Sequence, residues 1–209
     1  MVEYAVLLDT LSIQRFVFGS NRLKENLGAS YVVETLYDPA VFSEYGAISL
    51  PDGSLKGYIG GGNALLFFND ESAAHHFISD WSTRLLYEKP GITIASAMES
   101  VTPQQLSDPS EFKKFKSRIF KKLLKNRSLF APVTQLASPG FTDSCVSSGT
   151  PMTVWNIYEE AENQRFVSPE TLLKAASAKL AKKKLLNTYH HILGDSYDFP
   201  DDLEKLGQV

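Results

Sequence analysis

The chain has 209 residues, 43% of them hydrophobic and 11% aromatic, enough for one large domain or one domain with an appendage. No apolar run approaches the ~20 residues that cross a bilayer as a helix, and a lone Cys145 excludes an internal disulfide framework. Met1-Val-Glu-Tyr leads straight into a strand-like run without a leader pattern, so a soluble, cytoplasmic protein is expected. The net charge of −3 hides an asymmetry. Residues 1–108 carry 6 Lys/Arg and 13 Asp/Glu, whereas residues 109–209 carry 15 and 11.

Residues 4–11 read as a strand, interrupted near its end by Asp9. A carboxylate there costs free energy if buried unpaired, so it faces solvent, caps a turn or binds a cation. Gly19-Ser20-Asn21 offers turn and cap chemistry, and residues 21–36 follow as a helix with Leu23, Leu27, Tyr31 and Leu36 on one side. Gly28-Ala29-Ser30 inside it predicts close packing of that helix on a sheet. Asp38-Pro39 begins a connection, and a Pro-Asp-Gly turn at 51–53 leads into Gly57-Tyr-Ile-Gly-Gly-Gly-Asn-Ala-Leu-Leu-Phe-Phe68.

That stretch predicts a β-hairpin whose second arm, Ala64 to Phe68, is buried on both faces. The triple glycine at its tip permits positive φ and either lets another molecule approach the backbone or serves as a tight turn and nothing more. Asn69 to Ser72 look like a helix start, and Ala73, Ala74, Phe77, Ile78, Trp81, Leu85 and Leu86 mark one apolar face. His75 and His76 point about 100° apart on this helix and do not readily share a metal. Residues 92–101 read as a further strand.

Strand, helix, hairpin, helix, strand is the split βαβ, ferredoxin-like order: an α+β palm-like fold with an antiparallel sheet and both helices on one face. The end of the first strand and the hairpin tip then converge at one sheet edge. Polymerase and cyclase palms place metal-binding carboxylates there.

Residues 110–127 predict an amphipathic helix. Phe112, Phe115, Ile119, Phe120, Leu123 and Leu124 form its apolar stripe, and Lys113, Lys114, Lys116, Arg118, Lys121, Lys122, Lys125 and Arg127 cover the rest. It serves either as a packing helix with a solvated basic face or as a phosphate-backbone or partner contact through Lys113, Lys114, Arg118, Lys121, Lys122 and Lys125. No aromatic residue is expected on its polar face. From Pro132 to Thr153 the chain is loop-like, Trp155 to Tyr158 suggest a short strand, and Ser168-Pro169 open a helix reaching about His190. The acidic tail from Asp195 reads as a linker. The domains expected are thus a palm at 1–105, a basic helical and loop extension at 106–194, and a linker at 195–209.

Leu8-Asp-Thr-Leu-Ser-Ile-Gln-Arg-Phe-Val-Phe18, Ser20-Asn-Arg-Leu-Lys24 with Gly28-Ala-Ser30, and Tyr58-Ile-Gly-Gly-Gly-Asn-Ala-Leu-Leu65 resemble one family. It is the large, polymerase-palm subunit of type III CRISPR effector complexes, and the stretch at about 4–100 looks like the first of its two palms. Cys145-Val-Ser-Ser-Gly149 echoes a Cys-x-x-Cys-Gly knuckle with Ser148 in place of the second Cys. One thiol is too few for a structural zinc site, so no zinc is expected.

The resemblance implies that the second palm carries a Gly-Gly-Asp-Asp hairpin and makes cyclic oligoadenylates from ATP. Gly62 and Asn63 stand here where the two Asp would be. No catalytic residue and no metal ligand set is therefore expected in this chain, and no cofactor bound by it alone. Gly60, Gly61, Gly62, Asn63 and Asp9 become candidate nucleotide contacts, with ATP and Mg or Mn entering through a second palm. Effector subunits and RNA are the further partners implied. The competing readings are a structural RNA- or partner-binding module without nucleotide binding, and a cyclase acting as a homodimer.

Overall fold

A computed structural model describes residues 3–129, 142–159 and 161–193. The predicted loop at 132–153 lies outside the described residues as far as 141, and so does the acidic tail from Asp195. The chain divides into two compact units. Unit 1 holds residues up to Leu11 with Leu36–Glu88 and Ile92–Pro132; unit 2 holds Ser12–Thr35, Lys89–Gly91 and the chain from Val133.

Unit 1 contains β1 (Glu3–Leu11), α3 (Pro39–Glu44), β2 (Gly57–Gly60), β3 (Asn63–Phe68), α4 (Glu71–Glu88), β4 (Thr93–Val101), α5 (Pro103–Ser107) and α6 (Pro109–Leu129). Its four strands form an antiparallel sheet in the order β2-β3-β1-β4, the ferredoxin-like order. Of the elements between strands, α3 was not anticipated. Its start signal is nonetheless present: Asp38 accepts from the Ala40 amide at 2.9 Å and Pro39 occupies the first helical position.

Alternation along β1 dictates two cores. Val6 and Leu8, with Ala64, Leu66 and Phe68 of β3, face Phe77, Trp81 and Leu85 of α4 and Phe42 of α3. The rings lock in place, with Phe68 stacked on Phe77 at 5.1 Å and Phe42 edge-on to Phe77 at 5.6 Å. Ala5, Leu7, Phe67, Ala95 and Ala97 face the opposite way and are covered by Phe115, Ile119 and Leu123 of α6. The helix expected to share a face with α4, residues 21–36, belongs to unit 2 instead; α3 packs with α4 on that face, and α6 covers the other. Both faces of this sheet are apolar, and each must be covered. The predicted burial of the second hairpin arm on both faces is what the structure shows.

Unit 2 contains α1 (Ile13–Phe18), α2 (Leu23–Glu34), β5 (Val154–Trp155), a 3₁₀ turn (Ala161–Asn163), β6 (Phe166–Val167) and α7 (Pro169–Leu193). The strand expected at 155–158 is shorter and earlier: β5 pairs Val154 and Trp155 with β6, and residues 156–158 lie outside it. Ser168 caps α7 as predicted, its hydroxyl accepting from the Thr171 amide at 3.2 Å. Helix α2 packs on α7 rather than on a sheet. At Gly28 a Cβ would stand 1.9 Å from the Lys174 carbonyl oxygen. The small residue is required, but by helix-on-helix contact. Arg22 binds both Glu25 and Glu159, at 3.3 and 3.1 Å, so the fully buried Glu25 is not left as a lone charge.

Gly28→Ala is expected to destabilise the α2–α7 pair by about 3 kcal/mol, because backbone must move to admit the methyl group. The exposed Ser30→Ala should stay within about 0.5 kcal/mol. Thermal melts of the two variants followed by circular dichroism test the contrast.

Candidate functional site

The candidate site lies at one edge of the unit 1 sheet. The two-residue turn Gly61-Gly62 joins β2 to β3, with Gly60 opposite Asn63. Both central residues have positive φ, 60° and 80°, as a type I′ hairpin turn demands. Glycine meets that demand without a Cβ penalty. Asn63 in turn faces Asp9 of β1. The predicted convergence of Asp9 with residues 60–63 is therefore present in the strand register.

Hydrogen bonds hold the tip. The Thr10 amide donates to the Gly62 carbonyl at 2.9 Å, and the Tyr37 hydroxyl donates to the same oxygen at 3.1 Å. Tyr37 also shares a 2.7 Å hydrogen bond with the Thr10 hydroxyl. Burial holds the Tyr37 phenol above its ordinary range, with the Thr10 bond opposing. The Asn63 side chain donates to the Gly61 carbonyl at 3.3 Å, which braces the turn. Neither Tyr37 nor Thr10 was singled out from the sequence. A tyrosine 25 residues before Gly62 carries no local signal of its role.

Asp9 is 16% exposed at its side chain, and its carboxylate lies 3.0 Å from the Arg127 guanidinium at the C-terminal end of α6. Burial pushes the carboxyl above its ordinary value, and Arg127 pulls it back only in part. Of the three roles open to Asp9 in the sequence, the structure gives it an internal cation. A carboxylate paired in this way, with an Asn opposite and glycines at the tip, offers no cluster of anionic oxygens for two divalent ions.

Helix α6 uses one flank to bind the sheet edge. Arg118 and Lys122 reach Glu99 at 3.5 and 3.7 Å. Lys122 also donates to the Met98 carbonyl at 2.7 Å, and Asn126 to the Ser96 carbonyl at 2.8 Å. Lys114 pairs with Glu111. Three of the six cations proposed for RNA or partner contact are thus engaged within the chain. Lys113, Lys121 and Lys125 carry no ion pair among the described residues. The apolar stripe is narrower than expected: Phe115, Ile119 and Leu123 are buried, whereas Phe120 is 45% and Leu124 60% exposed. The expectation of a polar face without aromatics is corrected by Phe120. Six apolar positions span too wide an arc for one sheet to cover.

In unit 2 the serine of the knuckle-like segment belongs to a hydroxyl chain. Ser148 bonds Thr150 at 2.8 Å and Ser168 at 2.7 Å, Ser168 bonds Thr171 at 3.1 Å, and Thr171 reaches the Cys145 sulfur at 3.3 Å. Burial pushes the Cys145 thiol up. Hydrogen bonds from Thr171 and from the Ser168, Ser147 and Ser148 amides outweigh it and bring the thiol to about 7. A separate cleft of about 390 Å³ lies between α2 and α7, walled by Leu27, Tyr31, Lys184 and Leu185. None of its lining residues comes from the hairpin edge.

No family model matches the chain, and no curated protein matches it. Among solved structures it is similar to chains of the Csm1–Csm4 cassette. The apo cassette is 19% identical with a TM-score of 0.45, over 61% of this chain and 18% of that one. The cassette with one ATP is 15% identical with a TM-score of 0.47, over 60% and 18%. The cassette with pppApApA is 13% identical with a TM-score of 0.47, over 96% and 42%. The chain spans between 18% and 43% of the length of such chains.

Two outcomes are expected at the edge. A carboxyl whose folded pKa is raised contributes stability below the unfolded value of about 3.9 and loses it as pH rises through the folded value. Relative to Asp9→Asn, the wild type should therefore lose stability as pH rises from about 3.9 towards neutrality, measured by thermal melts across pH. A gain in that window would show that Arg127 outweighs burial. Tyr37→Phe leaves the buried Thr10 hydroxyl with one partner fewer, and should cost about 1–2 kcal/mol in urea unfolding.

Proposed function

We propose that unit 1 is a catalytically silent palm whose hairpin edge forms one wall of a nucleotide site, completed by a second palm outside this chain. The observation that carries this reading is the register. Asp9 sits opposite Asn63, directly beside the Gly61-Gly62 turn, at the edge where the ferredoxin-like order brings the first strand and the hairpin together. The position suits nucleotide chemistry, while the side chains lack what catalysis needs. Gly62 offers no ligand, Asn63 is neutral, and Asp9 is occupied by Arg127.

In this reading Gly60, Gly61 and Gly62 admit a phosphate or ribose close to the backbone, Asn63 exchanges hydrogen bonds with it, and Asp9 faces a ribose hydroxyl. The sequence motifs shared with the type III CRISPR large subunit make ATP the nucleotide to test. They also make a second palm and effector subunits the partners, with cyclic oligoadenylate synthesis residing in that second palm. The competing scaffold reading keeps the assembly and drops the nucleotide.

Isothermal titration of the chain with ATP, alone and joined to a second palm, tests the proposal. Weak binding is expected for the chain alone and tighter binding for the pair. A Cβ at Gly61 meets no neighbouring atom within 4 Å, so Gly61→Arg should fold with about 1–2 kcal/mol of backbone strain and weaken ATP binding at least about tenfold. An intact second-palm complex that binds ATP equally well with Gly61→Arg would leave only the scaffold. Turnover of ATP with Mg or Mn that Asp9→Ala abolishes would establish the homodimeric cyclase instead.

A further inference from the structure

The outer face of α6 combines two features that the sequence pattern had separated. The first is unpaired positive charge. Lys113, Lys116, Lys121 and Lys125 are exposed and form no ion pair among the described residues. The sole acidic residue of α6, Glu111, is held by Lys114. The second is an accessible ring. Phe120 is 45% exposed, with Lys116 Nζ 6.0 Å from its centroid, and Leu124 beside it is 60% exposed. Residues 113, 116, 120 and 124 recur at three and four residues, so they share one side of the helix.

From Lys113 to Leu124 this side does not hold the helix in place. Phe115, Ile119 and Leu123 do that from below and Arg118, Lys122 and Asn126 from the other flank, while Arg127, three residues beyond Leu124, ties the end of the helix to Asp9. We propose that the outer face of α6 binds single-stranded nucleic acid, with Phe120 stacking under one base and Lys113, Lys116, Lys121 and Lys125 facing the phosphates. A base has a π-face that an exposed phenyl ring accepts, and flanking ammonium groups release counterions from a phosphate backbone. Lysine is depleted in protein–protein interfaces, which argues against an acidic protein as occupant. A duplex would hide its bases from the ring. This inference does not depend on the nucleotide site, which lies at the hairpin.

The test is fluorescence anisotropy of the full chain with labelled 12-nucleotide oligouridine and oligoadenosine RNA. With about four phosphates neutralised on a single strand, affinity should fall about 50-fold between 50 and 200 mM salt. Phe120→Ala should weaken binding about 5- to 150-fold, and Phe120→Trp should preserve it. Paired substitution Lys121→Glu and Lys125→Glu should flatten the salt dependence. These positions are exposed, and melts followed by circular dichroism verify that each variant folds. Absence of binding at 50 mM salt overturns the proposal. So does equal affinity of Phe120→Ala and wild type, or displacement of the RNA by polyglutamate as readily as by unlabelled RNA.

Discussion

Strand β1 has apolar side chains on both of its faces, and unit 1 is built to satisfy that demand. Ala5, Val6, Leu7 and Leu8 are all buried, alternating between two cores. At about 25 cal/mol per Å² of apolar surface, leaving either face wet would forfeit several large side chains' worth of burial. One face takes α4 with its ring cluster, and the other takes α6. The sheet order places β1 between β3 and β4, so its backbone groups are paired on both sides as well.

The second layer also manages an edge. β4 ends the sheet, and an unpaired edge invites association with another strand. Lys122 and Asn126 donate to the Met98 and Ser96 carbonyls, and Glu99 binds Arg118 and Lys122. Two turns of basic helix thus close the edge that β4 would otherwise present. The same helix ends in Arg127, which meets Asp9. A positive charge at a helix C-terminus is itself favourable, since it answers the exposed carbonyls there. One helix therefore covers a core face, caps an edge and neutralises the carboxylate nearest the hairpin.

That last contact shapes what the hairpin edge can do. A polymerase-like palm needs carboxylates free to hold metal. Here the geometry of such a palm is retained, with Asp9 and Asn63 opposed across the strands. Its charge is not. Tyr37 and Thr10 both bond the Gly62 carbonyl, so the turn is fixed in place rather than left to close on a ligand. The edge thus presents glycine backbone, a neutral Asn and a carboxylate already paired within the chain.

The sequence by itself determined the four strands of the unit 1 sheet, the hairpin with its glycine tip, the extent of α4, the start of α7 and the convergence of Asp9 with Asn63. These follow from local rules: alternation along a strand, positive φ at glycine, capping by Ser168, and the topology that strand order permits. Only the tertiary structure decided where the helices dock. Gly28 announces a close contact but not its partner, which is α7. The α6 pattern announces an apolar stripe but not its width, because the sheet has room for three of its side chains and leaves Phe120 and Leu124 outside. Arg127 and Asp9 stand 118 positions apart, and no local pattern pairs them. Periodicity carries information along one element, whereas the choice between neighbours is made by shape and charge complementarity among elements distant in the chain.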